Sequence, residues 1–501
     1  MNVLFLITDQ QRADHLGCAG NPILKTPNLD RLASEGVRFT SAYVVNPMCS
    51  PNRASILTGL YPKRHIRVPG VNLDINIPTF SDALRKGGYA TKAIGKMHLQ
   101  FYGPPISRKN SSLERIADWS GEKTHSEMVK KFPLPYYGFS EVDLIVGHGD
   151  LCDGHYRDWL EEKAPQYITE FRAHSILDKL YYKSKMPEEL YPTSYVTERS
   201  IDFLEKFSQG GYGEENFFLY VSYPDPHHPV TPPGKWAEMY KPEDIELPES
   251  FKNIEYTRNH QFMRKYLDRG VLRNMIFRTT TEEEVKNFTA LTYGTLSMID
   301  NSVGQILSTL EKLGLADNTM VIYTSDHGDM AGDHGMLLKG WIPFNGILNV
   351  PLIIKVPGVS KSGSVTDSLV SSIDFAQTIL NLCKISKRKQ PPDMEGVDFT
   401  PVLKDPETKV RDSVLIEFDG VDSSAKGTSG MRIKYLVTER YKLTIYLNMP
   451  DYGDIYDRKN DPQELNNLWF SNPELRNELL KKILYETFKA ESIYPKREGI
   501  G

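Results

Sequence analysis

Short apolar runs punctuate the first two thirds of this chain, and each is followed at once by polar or charged residues. Val3 to Thr8, Tyr89 to Ile94, Asn216 to Ser222, Thr319 to Thr324 and Pro351 to Val356 are the clearest. Runs this short and this continuous read as strands buried on both faces, as in the centre of an α/β sheet. Between them the apolar positions switch to helical spacing. Thr26-Pro27-Asn28 opens a helix that Gly36 ends, Ile77-Pro78-Thr79-Phe80 opens one through Leu84 that Gly87-Gly88 stops, and Glu283 to Leu313 forms a long amphipathic stretch. Ser194 to Phe207 and Ser372 to Leu382 also read as helices, and Val37 to Phe39 and Ala42 to Val45 as strand or extended chain. This alternation predicts an α/β fold with a large central mixed β-sheet flanked by helices.

The texture changes twice. From Leu99 to about Gly211 the periodicity weakens while tyrosines and tryptophans, Trp119 and Trp159 among them, accumulate. Such an insertion on an α/β scaffold is where substrate specificity is expected to reside. Beyond Lys384 come a basic, proline-containing stretch, three runs that read as antiparallel strands (Val414 to Phe418, Met431 to Thr438, Tyr441 to Leu447), a turn over Tyr456 to Pro462, and a helix capped by Asn472 that runs to Ala490. The expected division is a catalytic domain over 1–390, carrying the variable insertion 99–211, and a smaller C-terminal α+β domain over 391–501 with an antiparallel sheet.

Composition narrows the function more than the fold. A chain of 501 residues, 40% hydrophobic and 25% charged, can build a large core. Its net charge of -5 gives no field for nucleic acid or an anionic membrane, and no stretch has the length of a membrane span, so neither is an expected partner. Any anion site must be local. The apolar start, Met1 to Ile7, lacks a basic leader and is cut off by Thr8-Asp9-Gln10, which predicts a cytoplasmic protein. The 4 cysteines are widely spaced and too few for a disulfide framework. The tail from Glu491 to Gly501 could serve as an exchanging arm in a homo-oligomer.

Candidate chemistry gathers where the predicted strands end. Asp9-Gln10, Lys96 to His98, His227-His228, and Asp326-His327 with Lys339 downstream all lie at or just beyond a strand's carboxyl end, where open α/β sheets bind ligands. Cys49-Ser50-Pro51-Asn52-Arg53 adds a thiol at a predicted helix N-terminus with a cation one turn in, a combination suited to sulfate or phosphate. Asp9, Gln10, Asp326 and His327 form an oxygen-dominated donor set that suits Ca2+, Mg2+ or Mn2+ better than Zn2+. Arg53, Lys96 and Lys339 are cations for a tetrahedral oxyanion, and His98 and His227 are imidazoles for general base and acid.

Cys49-x-Pro51-x-Arg53 with Thr58-Gly59 resembles the type I sulfatase motif, and the resemblance runs along nearly the whole chain: Thr26 to Ala33, Gly95-Lys96-Met97-His98, Pro226-His227-His228-Pro229, Ser325 to Asp329, Tyr456-Asp457 and Asp461-Pro462. It implies the alkaline phosphatase superfamily fold and hydrolysis of a small-molecule or saccharide sulfate ester. It further implies that Cys49 is converted to formylglycine by a formylglycine-generating or sulfatase-maturating enzyme. Asp9, Gln10, Asp326, His327 and modified residue 49 would bind one divalent metal, Ca2+ ahead of Mn2+ or Mg2+. Arg53 would fix the modified residue and the metal site, Lys96 and Lys339 would hold sulfate oxygens, His227 would protonate the leaving alcohol, and His98 would deprotonate the remaining hydroxyl. Many family members carry two adjacent aspartates where this chain has Asp9-Gln10, and asparagine where it has His327. The alternatives are a phosphonate monoester or phosphodiester hydrolase of the same superfamily and a non-catalytic binder of sulfated ligands.

Overall fold

A computed structural model of the chain describes residues 1–103, 112–114, 132–167, 179–265, 278–420 and 431–491. Trp119, parts of the 99–211 insertion and residues 492–501 of the expected arm lie outside the described residues.

The apolar runs form the middle of a nine-stranded sheet. Its strands are β1 (Asn2–Thr8), β2 (Val37–Phe39), β3 (Tyr89–Lys96), β4 (Glu141–Val146), β5 (Asp153–Gly154), β6 (Asn216–Ser222), β7 (Thr319–Ser325), β8 (Leu352–Lys355) and β9 (Ser364–Thr366). In space the order is β9-β2-β8-β7-β1-β6-β3-β4-β5. The inner block β7-β1-β6-β3-β4 is parallel, and β8 turns antiparallel beside β7, so the sheet is mixed as expected.

Alternate residues of β1 serve two cores. Val3, Phe5 and Ile7 pack with α2 (Cys49–Thr58), α3 (Phe80–Lys86) and α7 (Asp374–Leu382) on one face. Leu4 and Leu6 pack with α1 (Pro27–Glu35), α4 (His155–Lys163), α5 (Pro192–Ser208) and α6 (Glu282–Lys312) on the other. That two-sided burial is the physical reason the central strands lack polar alternation. Capping follows the sequence too: Thr79 and Asp82 form a reciprocal capping box at the start of α3.

A second, four-stranded antiparallel sheet follows, β10 (Ser413–Asp419), β11 (Arg432–Thr438), β12 (Tyr441–Tyr446) and β13 (Gly453–Asp457). Val414, Ile416 and Phe418 join the main core, while Leu415, Leu436, Leu443 and Ile455 meet Leu475, Leu479 and Ile483 of α8 (Pro473–Glu491).

The structure corrects the sequence reading in three places. Tyr456 and Asp457, expected in a turn, end strand β13. Strands β4 and β5 and helix α4 fall within the weakly patterned insertion; β4 begins with half-buried polar residues near the sheet edge and so lacks an apolar signature. Strand β3 runs two residues beyond Ile94. Gly95 permits this with a φ of 95°, at a point where an added Cβ would lie 1.8 Å from the Ser222 carbonyl oxygen of β6.

Candidate active site

The register of the parallel strands brings the predicted clusters together. Thr8 of β1 lies beside Ser325 of β7, and Ser222 of β6 beside Ile7 and Gly95. Asp9-Gln10, Asp326-His327, His227-His228 and Lys96-Met97-His98 therefore leave one edge of the sheet side by side. Cys49 is the first residue of α2, with Pro51 in the first turn and Gly59 closing the helix at a φ of 69°. Asn52 and Arg53 seat this helix against the strand ends. Asn52 Nδ2 donates to the Asp326 carbonyl oxygen at 2.6 Å, and its Oδ1 accepts from the Val45 N–H at 3.2 Å and from Ser372 Oγ at 2.7 Å. Arg53, 0% exposed, donates Nε to Asp326 Oδ2 at 2.7 Å and Nη1 to the Lys96 carbonyl oxygen at 2.9 Å and Ser222 Oγ at 2.8 Å. Burial alone would depress its guanidinium, but Asp326, followed by Tyr220 and Asp9, holds it above its ordinary range. One buried fork thus ties the ends of β3, β6 and β7 to the helix that carries Cys49.

Cys49 Sγ meets Lys339 Nζ at 2.9 Å, His327 Nε2 at 3.1 Å and Asp9 Oδ1 at 3.7 Å. Burial raises the thiol and Asp9 raises it further, yet Lys339, Lys96 and His327 bring it below its ordinary value. Burial also raises the Asp9 carboxyl, but the cations of Lys96, Lys339 and Arg53 outweigh it and leave Asp9 well below the usual carboxylate range. Lys96 pairs with Asp9 Oδ2 and lies 2.7 Å from His148 Nε2; Lys339 Nζ lies 2.8 Å from His327 Nε2.

The donor set fits a divalent cation. One ligand atom from each of Asp9, Cys49, Asp326 and His327 lies within 4.8 Å of the others. His327 Nδ1 is 2.9 Å from the Gly328 carbonyl oxygen. Since a carbonyl only accepts, Nδ1 carries the proton; Nε2 faces Lys339 Nζ, which only donates, and so directs its lone pair toward the cluster, as a metal ligand must. Burial lowers this imidazole, but Asp326 raises it above its ordinary value. Gln10 adds an oxygen: its backbone N–H donates to Asp326 Oδ1 at 3.1 Å and its Nε2 to Asp329 Oδ2 at 2.6 Å, which leaves Oε1 buried and without a partner among the described residues. Gln10 is held at a φ of 71° to present this arrangement.

The imidazoles stack along the same edge. His227 lies on His148 with ring centroids 3.7 Å apart and on His228 at 4.2 Å, and His98 lies on Tyr102 at 3.9 Å. His227 Nδ1 bonds the His228 carbonyl oxygen and so carries its proton, leaving Nε2 as the exchanging nitrogen. His228 Nδ1 is 3.2 Å from Gln10 Nε2, so its ring braces the donor set. Burial, with Lys96 next for His98 and His148 and with His148 and Lys339 next for His227, pushes these three imidazoles well below their ordinary value. Burial thus favours the neutral form of all three.

Every sequence-predicted position, Asp9, Gln10, Cys49, Arg53, Lys96, His98, His227, Asp326, His327 and Lys339, lies in this one region. His148 escaped the sequence reading because β4 did. The signal that could have found it is Gly147-His148-Gly149 directly after Leu144-Ile145-Val146, the same strand-end pattern as the other clusters.

The sulfatase family profile matches residues 1–385, and that of the N-sulphoglucosamine sulphohydrolase C-terminal region matches 332–489. An arylsulfatase of Clostridium perfringens is 32% identical over 496 residues, spanning 96% of this chain and 93% of its own. The multifunctional alkaline phosphatase superfamily protein PehA of Trinickia caryophylli is 29% identical over 93% of this chain and 91% of its own. The phosphonate monoester hydrolase of Agrobacterium radiobacter superposes with a TM-score of 0.78 at 25% identity, covering 98% of this chain and 96% of that one. A catalytic-type constellation on this sheet edge, with a family match over most of the chain, establishes that the chain belongs to the sulfatase family, sulfuric ester hydrolases of the alkaline phosphatase superfamily.

Proposed function

We propose that the protein hydrolyses a sulfate monoester to an alcohol and inorganic sulfate, with residue 49 acting as formylglycine beside a divalent metal. The observation that carries this reading is the convergence on Cys49 Sγ of Lys339 at 2.9 Å and His327 at 3.1 Å, at the N-terminus of a helix pinned by Arg53. A maturating enzyme, using an oxidant of its own, would convert the Cys49 Cβ to an aldehyde with loss of the thiol sulfur. The hydrated aldehyde supplies the nucleophilic oxygen, and the aldehyde re-forms when its second hydroxyl loses a proton and the C–O bond to sulfate breaks. Asp9, Gln10, Asp326, His327 and modified residue 49 would hold the metal, Ca2+ by preference for an oxygen-rich set, which supplies a Lewis acid.

The chain's own groups do the rest. Lys96 and Lys339 bind the non-bridging sulfate oxygens, where charge accumulates, and Arg53 keeps Asp326 and α2 in place. His227 Nε2 delivers a proton to the leaving oxygen. It must first gain one, and an anionic ester between the two lysines offsets the part of its lowering that comes from Lys339 and Lys96. His98 removes a proton from residue 49 so that sulfate is expelled. His148, bonded to Lys96 and stacked on His227, orients both. Tyr102 beside His98 and the aromatic-rich insertion suit an aryl or sugar leaving group.

A second reading has a specific footing, since phosphonate monoester hydrolase is the activity of the structural relative with the TM-score of 0.78. The Lys96 and His98 pair favours sulfate. Rates on matched aryl sulfate, phosphate diester and phosphonate esters test the choice. The sulfate should lead in kcat/KM by at least about tenfold; a lead for either phosphorus ester contradicts it.

A further inference from the structure

The chain leaving β3 turns sharply at His98, whose φ is 52°. Non-glycine residues are uncommon in that left-handed conformation, histidine less so than most, and contacts with their surroundings hold them in it. Here the surroundings are Glu114. Its Oε2 accepts from the His98 N–H at 2.5 Å, its Oε1 accepts from the Leu99 N–H at 3.0 Å, and the Tyr136 hydroxyl donates to Oε1 at 2.7 Å. Leu99, Glu114 and Tyr136 are all fully buried. The same short segment is fastened further along: the Leu113 N–H donates to Gln100 Oε1 at 2.6 Å, and Ser112 Oγ donates to the Phe101 carbonyl oxygen at 2.7 Å. Residues 112–114 thus grip residues 98–101. The imidazole that this turn aims lies flat on Tyr102, with Nδ1 buried and without a partner among the described residues.

We propose that Glu114 is the positioning residue for His98, its carboxylate gripping two successive amides so that the left-handed turn holds the imidazole beside Tyr102 and Lys96. This rests on the reading of His98 as a proton-transfer group. Burial raises the Glu114 carboxyl to about 7 against the hydrogen bonds that lower it. The grip belongs to the ionised form, which accepts on both oxygens, so kinetics are read at about pH 8; glutamine would set its own N–H groups against one of the two amides. Glu114→Gln is therefore a near-isosteric change that breaks one half of the grip.

The test is a double-mutant cycle in the matured full-length enzyme, with kcat and KM measured on an aryl sulfate for wild type, E114Q, H98A and E114Q/H98A. E114Q is expected to lower kcat at least about tenfold with KM within about twofold, since small misplacements of a reacting group cost rate rather than binding, and to cost nothing more in the H98A background. Unchanged kcat in E114Q, or an equal loss in both backgrounds, overturns the proposal. Y136F removes only the hydroxyl donor and serves if E114Q fails to fold. A kcat loss that vanishes with H98A supports the positioning role; a loss that persists there, or no loss, overturns it. Wild-type kcat in H98A alone removes the reading of His98 itself, an outcome visible without Glu114 and distinct from failure of the cycle.

Discussion

At the scale of single residues, the site is a balance among buried charges. Asp9, Arg53, Lys96 and Asp326 are all essentially buried, so each charge persists because an opposite one lies beside it. Removing one member should therefore cost more than its own contact. Lys339→Ala and Lys96→Ala are each expected to lower kcat by about 10²–10³, the range for losing one oxyanion donor, and their measured kcat against unchanged circular dichroism checks this. Retention of more than about half the rate in either would remove that lysine from the oxyanion site. Arg53→Lys keeps the charge but not the fork, which spans Asp326, Lys96 and Ser222. It is expected to lose kcat by about 10², because misplacing the helix by a fraction of an ångström displaces residue 49. Most of these residues were legible in the sequence because each ends an apolar run. Cys49 was legible as a helix N-terminal thiol with a nearby arginine. His148 and Glu114 were not, since both stand in the aromatic insertion where neither period 2 nor period 3.6 marks the backbone that carries them.

At the scale of elements, the site depends on how closely β3 and β6 lie, and glycine at 95 sets that spacing. Gly95→Ala places a methyl group 1.8 Å from the Ser222 carbonyl oxygen before any relaxation. The expected result is a lower Tm together with a kcat loss larger than that of an equally destabilising change elsewhere, because Lys96 and Ser222 flank the clash; equal kcat at matched stability contradicts it. The central strands could be read from sequence for the same reason they are rigid, namely burial on both faces. Strand β4, with Glu141 and Asp143 half-buried, could not.

Helix α1 carries a second element-scale prediction. Asp300 of α6 accepts from the Leu29 N–H at 2.8 Å and the Asn28 N–H at 3.2 Å, yet burial raises its carboxyl from 3.8 to about 6. The folded protein then binds this proton more tightly than the unfolded chain does. Its stabilising contribution is complete below about pH 4 and lost as pH rises to about 6, about 3 kcal/mol at roughly 1.4 kcal/mol per unit. Across that window the Tm of the wild type minus that of D300N should fall with rising pH; parallel curves contradict the assignment.

At the scale of the whole molecule, one edge of the nine-stranded sheet collects groups drawn from residue 9 to residue 339, so the site exists only when the fold is complete. Chelation of the metal-loaded enzyme is expected to abolish turnover and lower Tm, because Asp9 and Asp326 lose a shared countercharge, and Ca2+ should restore both better than Mg2+. A chelated enzyme with full activity contradicts the metal assignment. The α/β class and the C-terminal antiparallel sheet followed from the pattern of apolar runs. The face on which Val414, Ile416 and Phe418 join the main core did not, since alternation within a strand tells that a face is buried and not against what.

The central claim is that residue 49 of the working enzyme is no longer a cysteine. The most direct measurement is the mass of the tryptic peptide Phe39 to Arg53 from catalytically active protein, read alongside its reactivity toward a hydrazide. The account predicts a peptide in which the Cβ of residue 49 has lost its thiol and become an aldehyde, in proportion to specific activity across preparations. A fully active preparation whose peptide carries only unmodified cysteine would contradict it.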